Sequence, residues 1–230
     1  MPPKQHSLWP PSFKAAIFDF DGTISDTAAL WNKVDRAFLS SRGLPFTADY
    51  QQNLSALGFK AGARYTIERF GLDEGVDDIC AEWKRLGRAL YASSATLRPG
   101  AANYIRALRE HGIGVALATV NDADMLDAIQ HVRFDALFDV RVHGTDVARP
   151  KDHPDIYLEA ARQLGVGASD CMVFEDVYIG ARSAKSAGMA VCGVRANDHS
   201  QFADELRSYS DVWVEDWRDA LGRQGQGALS

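Results

Sequence analysis

Short apolar runs alternate with amphipathic stretches along the 230 residues. Six runs, at 14–20 (KAAIFDF), 113–119 (IGVALAT), 138–142 (FDVRV), 171–175 (CMVFE), 189–194 (MAVCGV) and 211–214 (DVWV), show little period-two alternation. That pattern predicts strands covered on both faces. Between them, 101–111, 123–131, 154–164 and 177–187 read as helices. Pro99-Gly100 precedes the first, and Gly112 and Gly165 follow the first and third, which are ordinary helix start and stop signals. Strand–helix alternation of this kind predicts an α/β fold with a doubly wound parallel (Rossmann-like) sheet.

One stretch breaks the rhythm. Residues 27–94 contain no strand pattern but carry helical periods at 30–39, 61–70 and 79–91, the last with Trp83, Leu86 and Leu90 on one face. Such a length is far beyond that of a strand–helix connection. The expected organisation is therefore an α/β core of residues 1–25 and 96–230, with an inserted α-helical subdomain at 26–95. The Gly/Gln-rich tail, 222–230, is expected to fray.

Composition narrows the function classes. With 46% hydrophobic and 24% charged residues the chain is an ordinary folded protein. Its net charge of −6 and lack of any basic run argue against binding nucleic acid through phosphates. No apolar stretch reaches the roughly 18 residues of a membrane span, and residues 1–14 have neither the apolar region of a secretory signal nor an arginine. Cys80, Cys171 and Cys192 are far apart and odd in number, so neither a disulfide framework nor a zinc knuckle is expected. A cytoplasmic protein without nucleic-acid or membrane partners, monomeric or weakly dimeric, is the expectation.

The candidate chemistry sits at strand ends. The first strand runs out into Phe18-Asp19-Phe20-Asp21-Gly22-Thr23. Carboxylates at i and i+2 of an extended chain share one side, and in an open α/β sheet the pocket lies beyond the carboxyl ends of the strands. Taken alone, the pair reads equally well as an acidic turn, as a seat for a hard cation, or as a nucleophile with a proton donor. The second strand ends in Thr119-Val120-Asn121, a hydroxyl and an amide. After the third comes Arg149-Pro150-Lys151-Asp152-His153-Pro154-Asp155, whose lysine has the reach to a phosphate. The fourth ends in Glu175-Asp176, and buried strands rarely end in two adjacent acids without a cation or partner. His153 reads as an exposed loop residue, and His111, His131 and His143 show no ligand spacing.

Asp19-Phe-Asp-Gly-Thr, Thr119, Lys151 and Glu175-Asp176 resemble, in order, the four motifs of the haloacid dehalogenase-like hydrolase superfamily. VFEDVYIGARSAKSAGM (173–189) resembles the fourth-motif block of its phosphatase and β-phosphoglucomutase-like branch. KDHPDIY (151–157) is similar to that branch's lysine block, with Asp152 where proline is more usual. The insert at 26–95 falls where that branch carries a helical cap.

The resemblance implies a Mg²⁺-dependent phosphatase acting on a small phosphorylated metabolite. Asp19 would be the nucleophile and form an aspartyl-phosphate. Asp21 would protonate the leaving group and then activate water; true dehalogenases of the superfamily lack this second acid. Asp19, the backbone carbonyl of Asp21, and Asp176 would hold Mg²⁺, with Glu175 beside them. Gly22, Thr119, Asn121 and Lys151 would bind phosphate. The cap would close over the site, hinged near Ser25-Asp26 and Arg98-Pro99-Gly100. Asp26 matches an acid common in the branch but also reads as the N-cap of the first cap helix. Trp31 reads either as cap core or as substrate-facing, at a position where family mutases carry a histidine. A β-phosphoglucomutase-type mutase and a non-catalytic binding protein on the same fold are the competing readings.

Overall fold

The computed structural model describes residues 6–55, 57, 59–149, 151–197 and 202–222. Pro150, the first five residues and the tail from 223 onward lie outside the described residues. These fall into two compact units. One holds the chain up to Asp26, Thr96–Asp122 and the residues from His131 on; the other holds Thr27–Ala95 and Ala123–Gln130.

The first unit is built on a parallel sheet. Its strands are β1 (Ala15–Phe18), β2 (Gly114–Thr119), β3 (Val140–His143), β4 (Cys171–Glu175), β5 (Ala190–Val194) and β6 (Val212–Val214), in the order β3-β2-β1-β4-β5-β6. Every pairing is parallel. All four residues of β1 and all five of β4 are buried, as expected where helices cover both faces. One face carries Ala15, Ile17, Ala116, Val173 and Val191. It packs against α8 (Asp155–Leu164), α9 (Tyr178–Ser186) and α10 (Ala203–Tyr209) through Tyr157, Ala160, Ala181, Ala184 and Leu206. The other face is aromatic. Phe18 stacks on Phe174 with ring centroids 4.3 Å apart, and Tyr104 of α5 (Ala101–Glu110) and Trp217 close around them.

The strand order reverses between β1 and β4, which makes their carboxyl ends the switch point where ligand crevices form in such sheets. Register fixes what meets there. Phe18 is level with Phe174, so the next residues along, Asp19 and Glu175, emerge side by side.

Three sequence expectations shift. The strand expected at 138–142 begins at Val140, because Phe138 closes a one-turn helix, α7 (Phe134–Leu137). The helix expected at 123–131 is only α6 (Ala123–Asp127), and it belongs to the second unit. The helices α2 (Ala48–Ser55) and α10 have no counterpart in the expected elements.

The second unit is helical, with α1 (Ala28–Ser41), α2, α3 (Phe59–Phe70), α4 (Val76–Ser94) and α6. Its core gathers Val34, Phe38, Leu39, Tyr50, Ala63, Ile79 and Trp83. Arg42, just past α1, makes a two-toothed pair with Glu74 (2.7 and 2.6 Å), bonds Glu82 on α4 (2.6 Å), and lies over the Phe38 ring. Among the described residues no helix is long and apolar enough to cross a membrane.

Candidate active site

β1 stops at Phe18, but Asp19 stays tied to the sheet, its N–H donating to the Phe174 carbonyl at 3.0 Å. The chain then turns. Gly22 N–H bonds the Ser25 carbonyl at 2.8 Å, and Ser25 N–H bonds that of Phe20 at 3.0 Å. Gly22 takes φ +78°, and a Cβ there would fall 2.1 Å from Asp176 Oδ2. Only glycine therefore allows the loop both its left-handed backbone and its approach to the β4 acids. Two donors hold the loop's carbonyls: Arg98 Nη1 on Gly22 O (2.9 Å) and Trp217 Nε1 on Thr23 O (2.9 Å). Thr23 Oγ1 donates to Asp176 Oδ1 at 3.0 Å, so the end of β4 is fastened to the loop after β1.

Asp19, Glu175 and Asp176 are all buried, and each offers a carboxylate oxygen within 4.8 Å of the others'. Lys151 Nζ bridges Asp19 Oδ1 and Glu175 Oε1, the latter at 2.5 Å. Tyr157 donates its hydroxyl to the same Glu175 oxygen at 2.6 Å. Burial raises the Asp19 carboxyl to about 7 against the pull of Lys151, with Glu175 and Asp21 pushing it further up. Asp176 is raised by burial and then by Asp19 and Glu175. Lys151 runs the other way: burial favours its neutral form, but the Asp19 and Glu175 carboxylates outweigh that and hold it firmly charged.

Asp21 faces a different neighbour. Its Oδ2 accepts from Asn121 Nδ2 at 2.5 Å. Asn121 is itself held twice, its N–H donating to Thr119 Oγ1 (3.2 Å) and its carbonyl accepting from His143 Nδ1 (2.9 Å). Thr119 and Asn121 are buried. The core residues singled out from the sequence thus come together at the ends of β1, β2 and β4, with Lys151 supplied by the segment before α8.

The other two candidates make different contacts. Asp26 is exposed and accepts from Asn197 Nδ2 at 3.0 Å. It is not the N-cap of α1, since Thr27 occupies that position and makes no side-chain cap bond. Trp31 donates its indole N–H to Tyr91 Oη at 2.9 Å and meets Phe59 edge-on at 5.4 Å, inside the helical unit. Four residues that brace the site have no such role in the sequence analysis: Arg98, named there only as part of a hinge, His143, set aside for lack of ligand spacing, Tyr157 and Trp217. For His143 a signal existed, because it is paired in register with Thr119, one residue beyond the expected strand end.

The cluster's chemistry suits a divalent cation. Three carboxylates face one ammonium, a formal balance of −2. Without further positive charge, burial and mutual repulsion disfavour the ionised forms of Asp19 and Asp176. A hard cation with oxygen ligands removes that penalty.

Fold and site define a class: a Rossmann-like α/β hydrolase whose acids gather past the switch point of a parallel sheet. A family model of haloacid dehalogenase-like hydrolases matches residues 13–188, and the chain belongs to that family. It is 32% identical over 182 residues, 76% of this chain and 78% of the other, to a Drosophila melanogaster protein named "Probable pseudouridine-5'-phosphatase". It is 27% identical over 177 residues, 76% and 82% of the two chains, to the "Phosphorylated carbohydrates phosphatase" of Thermotoga maritima. Among solved structures, CbbY from Rhodobacter sphaeroides in complex with phosphate superposes with a TM-score of 0.78 at 26% identity, covering 93% of this chain and 98% of that one. The protein is thus an enzyme, a phosphoric monoester hydrolase, which sets aside the non-catalytic reading.

Proposed function

We propose that this enzyme is a Mg²⁺-dependent phosphatase that hydrolyses a small phosphorylated metabolite, a sugar phosphate or similar phosphomonoester, through an aspartyl-phosphate. The observation that carries the reading is the convergence of Asp19, Glu175 and Asp176 with Lys151 where the strand order reverses. The printed names of relatives, a pseudouridine-5'-phosphatase and a phosphorylated-carbohydrate phosphatase, support the substrate class.

A carboxylate attacking a phosphate dianion meets like-charge repulsion, about 4 kcal/mol for two unit charges ~4 Å apart at an effective dielectric of ~20. Lys151, held charged by its acids, offsets part of it and orients the Asp19 carboxylate. Mg²⁺, held by Asp19, Asp176, the Asp21 backbone carbonyl and Glu175, would supply the remaining positive charge at the transferring group. A carboxylate oxygen of Asp19 bonds phosphorus while the ester oxygen leaves. Asp21 gives that oxygen its proton, then takes one from the water that attacks phosphorus and releases inorganic phosphate and the free carboxylate. Asn121 Nδ2 on Asp21 Oδ2 orients the Asp21 carboxyl for that proton transfer. Thr119, Asn121, Lys151 and the backbone around Gly22 bind the phosphoryl oxygens.

In this reading the helical unit is a cap, and Asp26 lies in the segment that leads into it. Trp31 spends its N–H on Tyr91 inside the helical core, which favours hydrolysis over a mutase reading that wants a proton-carrying side chain there. Three free, buried cysteines suit a reducing cytoplasm.

Phosphate release from p-nitrophenyl phosphate and a panel of sugar phosphates tests the proposal. Activity is expected with Mg²⁺ and lost in EDTA or in Asp19→Asn. Turnover that survives either change overturns the mechanism.

A further inference from the structure

Tyr157 lies at the start of α8 with no exposed surface, yet it carries a hydroxyl into the acidic cluster. That hydroxyl donates to Glu175 Oε1 at 2.6 Å, and the same oxygen takes Lys151 Nζ at 2.5 Å. Lys151 in turn holds Asp19 Oδ1. The four groups form one chain from helix to nucleophile. Its geometry is walled in. A Cβ on Gly180 would stand 2.6 Å from Glu175 Cδ and 2.7 Å from the Tyr157 hydroxyl, so the first turns of α9 press directly on the Tyr157–Glu175 contact. The Lys151 ammonium also lies 5.6 Å from the centroid of the Tyr157 ring, within range of the attraction between a cation and a ring.

We infer that Tyr157 is a positioning residue for the reaction: its hydroxyl fixes the rotation of Glu175, and Glu175 thereby holds Lys151 on Asp19. In this contact the hydroxyl is the donor and the Glu175 carboxylate the acceptor. A carboxylate that accepts two charge-assisted or short hydrogen bonds at one oxygen has a defined orientation; with the tyrosine bond removed, only Lys151 on that oxygen and the long Val177 N–H contact to Oε2 (3.5 Å) still orient it. Lys151 then loses a fixed partner, and the alignment needed only when Asp19 attacks is degraded. The inference rests on the proposed role of Asp19 and Lys151.

The test compares wild type, Asp19→Asn and Tyr157→Phe on p-nitrophenyl phosphate with saturating Mg²⁺. Circular dichroism at the assay temperature gives the folded fraction. Tyr157→Phe removes one oxygen and keeps the ring. Partners that orient reacting or ligating groups are worth about 10–100-fold. The expected result is a kcat at least about tenfold lower per folded molecule, with KM within about twofold of wild type, the signature of an interaction made for the transition state. A smaller loss of kcat, a loss matched by a rise in KM, or a protein that does not fold assigns the hydroxyl to stability or binding alone and overturns the inference. If wild type is inactive, or Asp19→Asn retains its activity, the proposed function itself fails, whatever Tyr157→Phe does.

Discussion

Asn121 makes three hydrogen bonds with three different parts of itself: its amide to Asp21, its N–H to Thr119 and its carbonyl to His143. Such a residue is held through its backbone so that its side-chain amide is placed on Asp21. Asn121→Ala is expected to lower kcat on p-nitrophenyl phosphate by about tenfold, the scale of one oriented donor. Asn121→Asp is expected to lower it further, because it sets a carboxylate against Asp21 where the amide donated. Equal activity of Asn121→Asp and wild type would show that Asp21 does not depend on this donor. At this scale the sequence was eloquent about acids and silent about their supports. Asp19, Asp21, Glu175 and Asp176 stand out because ionisable groups at the ends of apolar strands demand a reason. Tyr157 and Trp217 do not, since an aromatic residue at an apolar position is what any core contains. Only the coordinates reveal that each aims its polar atom at the site.

Elements announce themselves when they are long or doubly buried. β1, β2, β4 and β5 were legible as continuous apolar runs because both of their faces are covered. The helix α2, ADYQQNLS, and the seven-residue α10, in which only Leu206 is buried, carry too few apolar positions for a period to show. Of the two readings of Asp26 the helix-cap one fails, because the cap position falls one residue later, on Thr27. Within the helical unit α1 contains its own anomaly. Asp35 is buried, and burial lifts its carboxyl to about 7. In the unfolded chain it ionises near pH 4. Between those values the folded protein keeps a proton that the unfolded chain has lost, so this residue's effect is a stability that falls as pH rises from about 4 to 7 and is flat beyond. Asp35→Asn removes that slope. Melting temperatures from pH 4 to 8 are expected to converge for the two proteins at the acid end, with Asp35→Asn the more stable at pH 8. A difference independent of pH would mean that Asp35 does not titrate in this window.

For the whole molecule, the site is a charge problem imposed on the fold. The sheet brings together acids some 155 positions apart in sequence, Asp19 and Glu175-Asp176, with one lysine to balance three carboxylates. The penalty is visible in the raised Asp19 and Asp176, whose ionised forms burial and their mutual repulsion disfavour. Folding without a cation therefore works against the function. This makes a prediction that separates a charge-crowded site from an ordinary structural ion cluster. In EDTA at pH 8, Asp176→Asn is expected to melt at a higher temperature than wild type. The amide occupies the same volume, keeps an oxygen for the Thr23 hydroxyl and removes one of the crowded charges. With Mg²⁺ present the order is expected to reverse. Wild type gains the binding free energy of the ion, about 2.7 kcal/mol at a hundredfold excess over the dissociation constant, and the variant, short of one ligand, gains much less. A crossing of the two stabilities between EDTA and Mg²⁺ requires that the same carboxylate burden the free protein and serve the loaded one. If Asp176→Asn is the weaker protein in both solutions, the acids are paired within the fold and the cation is not what they are gathered for.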